Sequence, residues 1–551
     1  MAKAFLAADY IHVEAGYREA EMMKTVPGAK WRHTTSTWDV PLAWASLAAL
    51  RGTFGPDLEL DPALIDWAWT ERNTRIDQAL AIRAADEPEG DYGFQERGIA
   101  FLRAAGSALL GDEMGLGKTR QAILAADLPC LVVCPNSMKY AWRDEWNKWR
   151  SDASVSVVDG TPAQKTKALT SGADVVVVNW ESLRAYSRLA AYGSIRLTEK
   201  QREPGLLNRP WACVIADEAH RAKDPHSQQT RALWAVGASA ARRIALSGTP
   251  VANSPADLWS VMHFVQPQEW PSRSAFIDRY CVSSINFWGG LDVYALKAHM
   301  RPEMDSFFEP RFLRRQKADV LTQLPAKTYS TRTVGMEPKQ AKAYESMRKD
   351  MIAALDDSSM LASFDPLVQT IRLLQLASAY PTLGPDGNVE ALQKPSNKLA
   401  ALLEIVEERD GAPTVVFAAS RKLIELCSRE VGVDHVLITG AQTPAERADS
   451  VARFQTGTVP LALVTLGAGG EGITLTAADT AVFLQRSWSL VQNLQAEDRI
   501  HRIGQEAGSV NILDVVSAGT IEARVQEAFA GKEATLQDVV KDRKILRSLL
   551  Y

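Results

Sequence analysis

Gly115, Gly117, Lys118 and Thr119, in the stretch GDEMGLGKT from Gly111 to Thr119, are the residue types of a phosphate-binding loop. Glycines bend successive backbone N–H groups into a nest at a helix start, where they surround phosphate oxygens, and a lysine neutralises the charge. The hydroxyl of Thr119 suits Mg²⁺, and KTRQAILAA continues as the helix whose positive end faces the phosphates. Asp112 stands where the usual pattern asks for its first glycine, so this stretch read alone leaves a chance glycine turn open.

A second group lies about a hundred residues on. ACVIADEAH ends an apolar run with Asp217 and Glu218, and in open parallel sheets ligands bind at the carboxyl ends of strands. Asp217 is suited to hold Mg²⁺ directly or through water, and Glu218 to polarise and deprotonate an attacking water. A strand simply finishing in solvated acids is the bland alternative. Gln95, in DYGFQERGIAFL, has an amide able both to donate to and accept from an adenine edge; an ordinary surface glutamine is the commoner case.

A third group closes the chain. In NLQAEDRIHRIGQ, Arg499 and Arg502 are three apart and share a helix face, which read alone is an ordinary solvated surface or a salt-bridge ladder. LGAGGEGITLTAAD, residues 466–479 and including Gly472, is a glycine-dense loop that permits close backbone approach to a phosphate or another domain. RFLRRQK gathers Arg311, Arg314, Arg315 and Lys317, which either meet backbone phosphates of a nucleic acid or form a solvated helix face. Trp488 packs in a core, or against a duplex.

These groups need strands and helices to hold them. LVVCP at 131, DVVVVN at 174, ACVIAD at 212 and RIALSGTP at 243 are continuous apolar runs, each followed by a helical pattern, as a parallel sheet covered on both faces requires. From about 265 to 410 the period is mostly helical, and the alternation resumes with TVVFAAS at 414, HVLITG at 435, LALVTLGAGG at 461, TAVFLQ at 480 and VNILDVVSAG at 510. The expected organisation is α/β: an N-terminal domain (1–83), a breaker-rich linker (84–93), a nucleotide-binding lobe (94–265), a helical insertion (266–410), a second lobe (411–520) and a C-terminal helical brace (521–551). The 551 residues suit several cores. The 62 Lys plus Arg against 66 Asp plus Glu exclude a generally basic protein that coats nucleic acid. Five cysteines without a CxxC pair argue for free thiols, with Cys130 and Cys134 as small core residues on one strand face. No apolar run approaches a membrane span and the start does not read as a secretory signal; the cytoplasm is expected, and the alanine-rich composition suggests a bacterial or phage setting.

GDEMGLGKT, DEAH, SGTP at 247–250, LRRQKADVLTQLPAK at 313–327, GAGGEGITLTAAD and QAEDRIHRIGQ, in this order, resemble the motifs of the SWI/SNF family of DNA-dependent ATPases within helicase superfamily two. The similarity covers roughly residues 90 to 530. The family's loop reads DEMGLGKT, so Asp112 belongs to its pattern. The resemblance implies two RecA-like parallel-sheet lobes with helical insertions, ATP and Mg²⁺ between them, and double-stranded DNA bound across both without sequence preference. It makes Lys118, Thr119, Asp217 and Glu218 the hydrolytic half, Arg499 and Arg502 arginine fingers, and Ser247 and Thr249 a coupling motif, whose bland reading is a strand-ending turn. Gly467 departs from the family's STRAGG version, which often has arginine there, and puts one contact in doubt.

The N-terminal segment, a helix, a Pro27-Gly28 turn, two short strands bearing Trp31 and Trp38 and a further helix, resembles the HepA-related (HARP) domain of annealing helicases. It is a small α+β domain whose core Trp31, Trp38 and Trp44 are expected to fill. The resulting expectation is an ATP-dependent translocase on duplex DNA that rewinds or remodels forked DNA. Removal of DNA-bound proteins or RNA polymerase, and an ATP-gated clamp that does not hydrolyse, are the alternatives.

Overall fold

The computed structural model describes residues 2–8, 10–16, 19–26, 28–84, 92–187, 205–248, 255–285, 291–321, 324–356, 366–384, 389–469, 473–487 and 489–523. Thr249, Gly472, Trp488, most of the expected linker and nearly all of the expected C-terminal brace lie outside these residues. The chain divides into two units, Met1–Thr322 and Gln323–Tyr551.

Within the first unit, the N-terminal residues form a sheet of five described strands in the order Lys30–Arg32, Thr37–Pro41, Tyr10–Glu14, Ala2–Ala7, Leu58–Leu60. The helices Trp44–Phe54 and Pro62–Ala84 accompany it, which gives the expected α+β character. The tryptophans divide differently from the expectation. Trp38 is buried, whereas Trp31 is 41% exposed, because it stands on the short edge strand that no further strand covers. The two rings still meet edge to face at 5.5 Å across the hairpin. Trp44 is partly buried and faces the Arg75 guanidinium at 5.8 Å. Glu269 ties this domain to the rest of the unit by accepting from the Ala45 N–H at 2.9 Å and pairing with Arg75.

The main sheet of the first unit has seven described strands, all parallel, in the order Phe312–Leu313, Ala108–Leu110, Ala240–Leu246, Trp211–Ala216, Cys130–Cys134, Val175–Asn179, Val155–Val157. The apolar runs predicted as strands are strands, and they are buried on both faces. Cys130 and Cys134 pack with Val132 in one core while Leu131 and Val133 pack in the other, so both thiols lie on one strand face as expected. The second unit repeats the architecture with six described parallel strands, Ala326–Val334, Ser509–Ser517, Thr480–Gln485, Thr414–Ala418, Leu461–Thr465, His435–Ile438, between two apolar cores.

The stretch from 266 to 410 is less helical than its period suggests. It contributes a hairpin (Cys281–Ile285 with Leu291–Leu296), a second hairpin (Tyr380–Leu383 with Val389–Gln393) and one edge strand to each main sheet. The boundary between the units falls inside it. Edge strands carry polar residues on their open side, so periodicity hides them.

The edge strand Phe312–Leu313 braces the glycine loop. It is laid beside the strand Ala108–Leu110 by three bonds, Leu109 N–H to Arg311 O (2.7 Å), Gly111 N–H to Leu313 O (2.7 Å) and Glu113 N–H to Arg315 O (2.9 Å). The last of these reaches into the loop itself. There the Arg315 guanidinium closes a fork on Asp112, Nε to Oδ1 at 3.0 Å and Nη2 to Oδ2 at 2.5 Å, and donates also to Gln121 Oε1 (2.8 Å) and the Phe94 carbonyl. Asp112 is fully buried.

This geometry corrects the reading of RFLRRQK as a phosphate-contacting or solvated helix face. Arg311 and Arg315 flank the short strand Phe312–Leu313 and Lys317 starts a short helix, with Arg311 and Lys317 buried and Arg315 largely so; in this run only Arg314 among the four cations is exposed. A guanidinium enclosed against a buried carboxylate has no freedom to meet DNA.

Removing one partner of a buried pair leaves an uncompensated charge, so Arg315→Met should cost about 3–5 kcal/mol of first-unit stability. The double variant Arg315→Met, Asp112→Leu should recover much of that loss. Urea unfolding followed by tryptophan fluorescence reads both, and an Arg315→Met protein as stable as its parent would show that the pair is dispensable.

Candidate active site

The glycine loop leads from the strand Ala108–Leu110 into the helix Lys118–Ala125. Gly115 (φ +82°) and Gly117 (φ +75°) take left-handed backbone conformations that side chains disfavour, and Gly117 begins the helix without any side-chain cap. The first N–H groups of the helix are thereby directed at the loop's concavity, where an anion would complete them. Lys118 folds back over the loop, its ammonium donating to Asp112 O at 2.7 Å and Glu113 O at 3.2 Å. Gln95 is buried against the same loop, donating to Leu116 O at 3.3 Å and accepting from Arg120 at 2.8 Å. The structure thus brings Gln95, Gly115, Gly117, Lys118 and Thr119 together.

Asp217 and Glu218 follow the strand Trp211–Ala216, two strands away in the same sheet. Asp217 is fixed from three sides. Its N–H donates to Val133 O (2.8 Å), its Oδ2 accepts from the buried Trp142 indole (2.9 Å), and its carbonyl accepts from the buried Trp180 indole (3.0 Å). Burial pushes its carboxyl up to about 6, the adjacent Glu218 charge adds to the rise, and the Trp142 N–H and Lys118 ammonium oppose it. A carboxylate in that state is short of positive charge, which a divalent cation would supply. Glu218 adopts a left-handed backbone (φ +50°, ψ +50°), a conformation costly for a non-glycine residue and concentrated at functional sites.

His220 joins this pair to the next motif. Its Nδ1 lies 3.3 Å from Glu218 Oε2 and 3.3 Å from the hydroxyl of Ser247, which is fully buried. The Ser247 N–H in turn donates to Leu110 O (3.2 Å), on the strand that enters the phosphate loop. Residue-type reasoning singled out neither His220, Trp142 nor Trp180. The histidine was visible in DEAH, whereas nothing in sequence marks two core indoles as partners of Asp217, one on its carboxylate and one on its main-chain carbonyl.

In the second unit, Arg499 and Arg502 converge on one carbonyl. Arg499 Nη1 is 3.4 Å and Arg502 Nη1 3.3 Å from Ile473 O, and Arg502 also donates to the Thr474 hydroxyl at 3.0 Å. The expectation of one helix face is modified: the helix Leu490–Ile500 ends before Arg502, which stands in the following turn. Convergence comes from the turn and from Leu475 N–H bonding Arg499 O at 2.9 Å. Ile473 and Thr474 directly follow Gly472 in sequence, so the glycine-dense loop runs into the arginine pair.

The raised Asp217 carboxyl has a stability consequence. Its folded-state pKa, about 6, exceeds the ordinary 3.8, so between those values the folded state holds a proton that the unfolded chain lacks, and this group's contribution becomes unfavourable as pH rises through the window. Asp217→Asn should therefore stabilise the nucleotide-free protein at pH 8 and leave it unchanged near pH 4. Thermal unfolding across this range checks it, and a gap between the two proteins that does not vary with pH would contradict the assignment.

Two family models match the chain: the SNF2-related domain over residues 67–381 and the helicase conserved C-terminal domain over residues 397–504. An uncharacterized ATP-dependent helicase of Mycoplasma pneumoniae is 28% identical over 479 residues, covering 83% of this chain and 43% of that protein. The DNA annealing helicase and endonuclease ZRANB3 of Bos taurus is 28% identical over 462 residues (82% and 40%). The SWI/SNF-related matrix-associated actin-dependent regulator of chromatin subfamily A-like protein 1 of Bos taurus is 28% identical over 529 residues (91% and 51%). The chain thus spans about half or less of the length of these relatives. Its phosphate loop, its Asp-Glu strand end and its arginine turn all fall within the two matched regions, and the chain belongs to the SNF2-related family.

Proposed function

We propose that this chain is an ATP-dependent translocase on double-stranded DNA that acts on forked or branched DNA. The observation carrying this reading is the connected set Lys118, Asp217, Glu218, His220 and Ser247 around an uncapped helix start. Such a set can hold a nucleoside triphosphate and pass a change at the phosphates to the Ser247 segment. Gly115, Gly117 and Lys118 bind the phosphates, Gln95 lies where it can select the base, and Glu218 takes the proton of the attacking water. Thr119 and Asp217 would hold Mg²⁺, which neutralises phosphate charge as a Lewis acid.

Arg499 and Arg502 complete hydrolysis from the second unit by stabilising charge that develops in the transition state. They exchange the neutral carbonyl of Ile473 for phosphate oxygens, a trade that favours the charged acceptor. DNA that promotes this arrangement speeds turnover, and repeated cycles move the protein along the duplex. Arg314 is the one residue of its run left as a phosphate contact, and Thr249, Gly472 and Trp488 keep their sequence-based assignments as proposals. The N-terminal domain supports the fork preference: its edge strand presents Lys30, Trp31 and Arg32 to solvent, a pairing of charge and ring suited to an unpaired strand. Relatives named as annealing helicases support the same choice.

Glu218→Gln should retain ATP and DNA binding while turnover falls by about 10² to 10⁴, and Arg502→Ala should lose about 10³ or more from the second unit. Steady-state ATPase with single-stranded, duplex and forked DNA tests both variants, and DNA-stimulated turnover at the parent rate in either removes the role assigned to it. DNA affinity should fall with salt at a slope of about −0.9 per phosphate neutralised; salt-independent binding would exclude a backbone-tracking motor.

A further inference from the structure

The strand Ala326–Val334 opens the second unit in sequence, and its first residues are bonded to the end of the helix Leu490–Ile500, where the two arginines stand at and just beyond the helix end. Lys327 Nζ lies 3.3 Å from Glu497 Oε2 and 3.6 Å from Asp498 Oδ1. Tyr329 OH donates to the same Glu497 oxygen at 3.0 Å. One residue before the strand, Pro325 O is 2.8 Å from His501 Nε2. The other Glu497 oxygen accepts from Arg486 at 2.8 Å, and Arg486 is itself anchored on Asp514 at 2.6 and 3.0 Å.

Glu497 and His501 are four apart, so both face the strand, and Arg499, midway between them, is directed to the other side. The helix end is thus gripped on both sides of the arginine it presents. Glu497, Asp498 and His501 are buried, and the hydrolytic step makes no use of them. A lone buried carboxylate beside two arginines would compete for their charge, and Lys327, Tyr329 and Arg486 prevent this by satisfying it. Burial acts to lower the Lys327 ammonium, but Asp498 and Glu497 outweigh it and raise the group above the ordinary lysine value, so the lysine stays charged.

We propose that Lys327 and Tyr329 are positioning residues for Arg499 and Arg502, acting through Glu497, so that the strand opening the second unit sets the aim of the arginine pair. This rests on the hydrolytic reading of the arginines. Positioning predicts a loss in kcat that spares nucleotide binding, since a displacement of about 1 Å in a charge-stabilising group costs up to about 10² in rate.

The experiment is DNA-stimulated ATPase of Lys327→Met, Lys327→Arg and Tyr329→Phe in the full chain, each with thermal unfolding and nucleotide affinity. Lys327→Met should lower kcat about tenfold or more with KM for ATP within about twofold of the parent, Lys327→Arg should restore most of it, and Lys327→Met in an Arg502→Ala background should add little further loss. Tyr329→Phe removes one hydroxyl from a largely exposed ring, leaves the fold intact, and should lower kcat about threefold. Parent-like kcat in both Lys327→Met and Tyr329→Phe, or losses that multiply with Arg502→Ala, would overturn the positioning role alone. Parent-like turnover in Arg502→Ala would instead overturn the hydrolytic reading and this inference with it.

Discussion

A carboxylate with no exposed surface, Asp112, needs a cation beside it, and the first unit is organised around that constraint. The partner, Arg315, comes from 203 residues further along the chain. To deliver it, the segment after the hairpin must return as an edge strand beside Ala108–Leu110. The pair also collects Gln121 and the Phe94 carbonyl, so the helix before the loop, the loop and the helix after it are tied at one point. In a loop rich in glycine, whose backbone entropy is high, such a tie keeps the N–H groups aimed at one place. Asp112 is therefore a structural fastener of the phosphate loop, which accounts for an acid at a position where a small residue would seem simpler.

The same logic extends across the sheet. No arginine pairs with Asp217 among the described residues; its carboxylate accepts from the Trp142 indole and the Glu218 N–H, its main chain is held by the Trp180 indole and Val133 O, and hydrogen bonds to neutral donors orient a carboxylate without satisfying its charge. The two acids thus stand in different electrostatic environments. Asp112 is neutralised and inert, whereas Asp217 is oriented and electrostatically needy, which is the state in which a side chain serves a cation. Glu218, in its left-handed conformation, and His220 then connect that need to Ser247.

The second unit treats its charged residues in the opposite order. Its acids Glu497 and Asp498 are buried and paired, and its arginines rest on neutral oxygens. Both units thus use buried ion pairs to hold their architecture.

Much of this was legible in the residues. The short apolar runs at 131, 174, 212, 243, 414, 435, 461, 480 and 510, each followed by a helical pattern, are what a parallel sheet covered on both faces requires. The glycine spacing in GDEMGLGKT and the acids after VIA marked the candidate phosphate site, since backbone approach and strand-end charge are local properties. Among the described residues no helix is long and apolar enough to cross a membrane, as the absence of long apolar runs required. What periodicity could not reveal were partners distant in sequence and elements at sheet edges. RFLRRQK has the composition of a solvated cationic face, yet Arg315 is interior because a buried acid waits for it two hundred residues upstream. Trp142, Trp180, Lys327 and Tyr329 carry no local mark of their roles for the same reason. The sequence by itself determined which segments are strands and which residues can do chemistry, because those follow from the nearest neighbours in the chain; only the tertiary structure decided which charges are neutralised and which remain available, because that depends on what folding brings within about 3 Å.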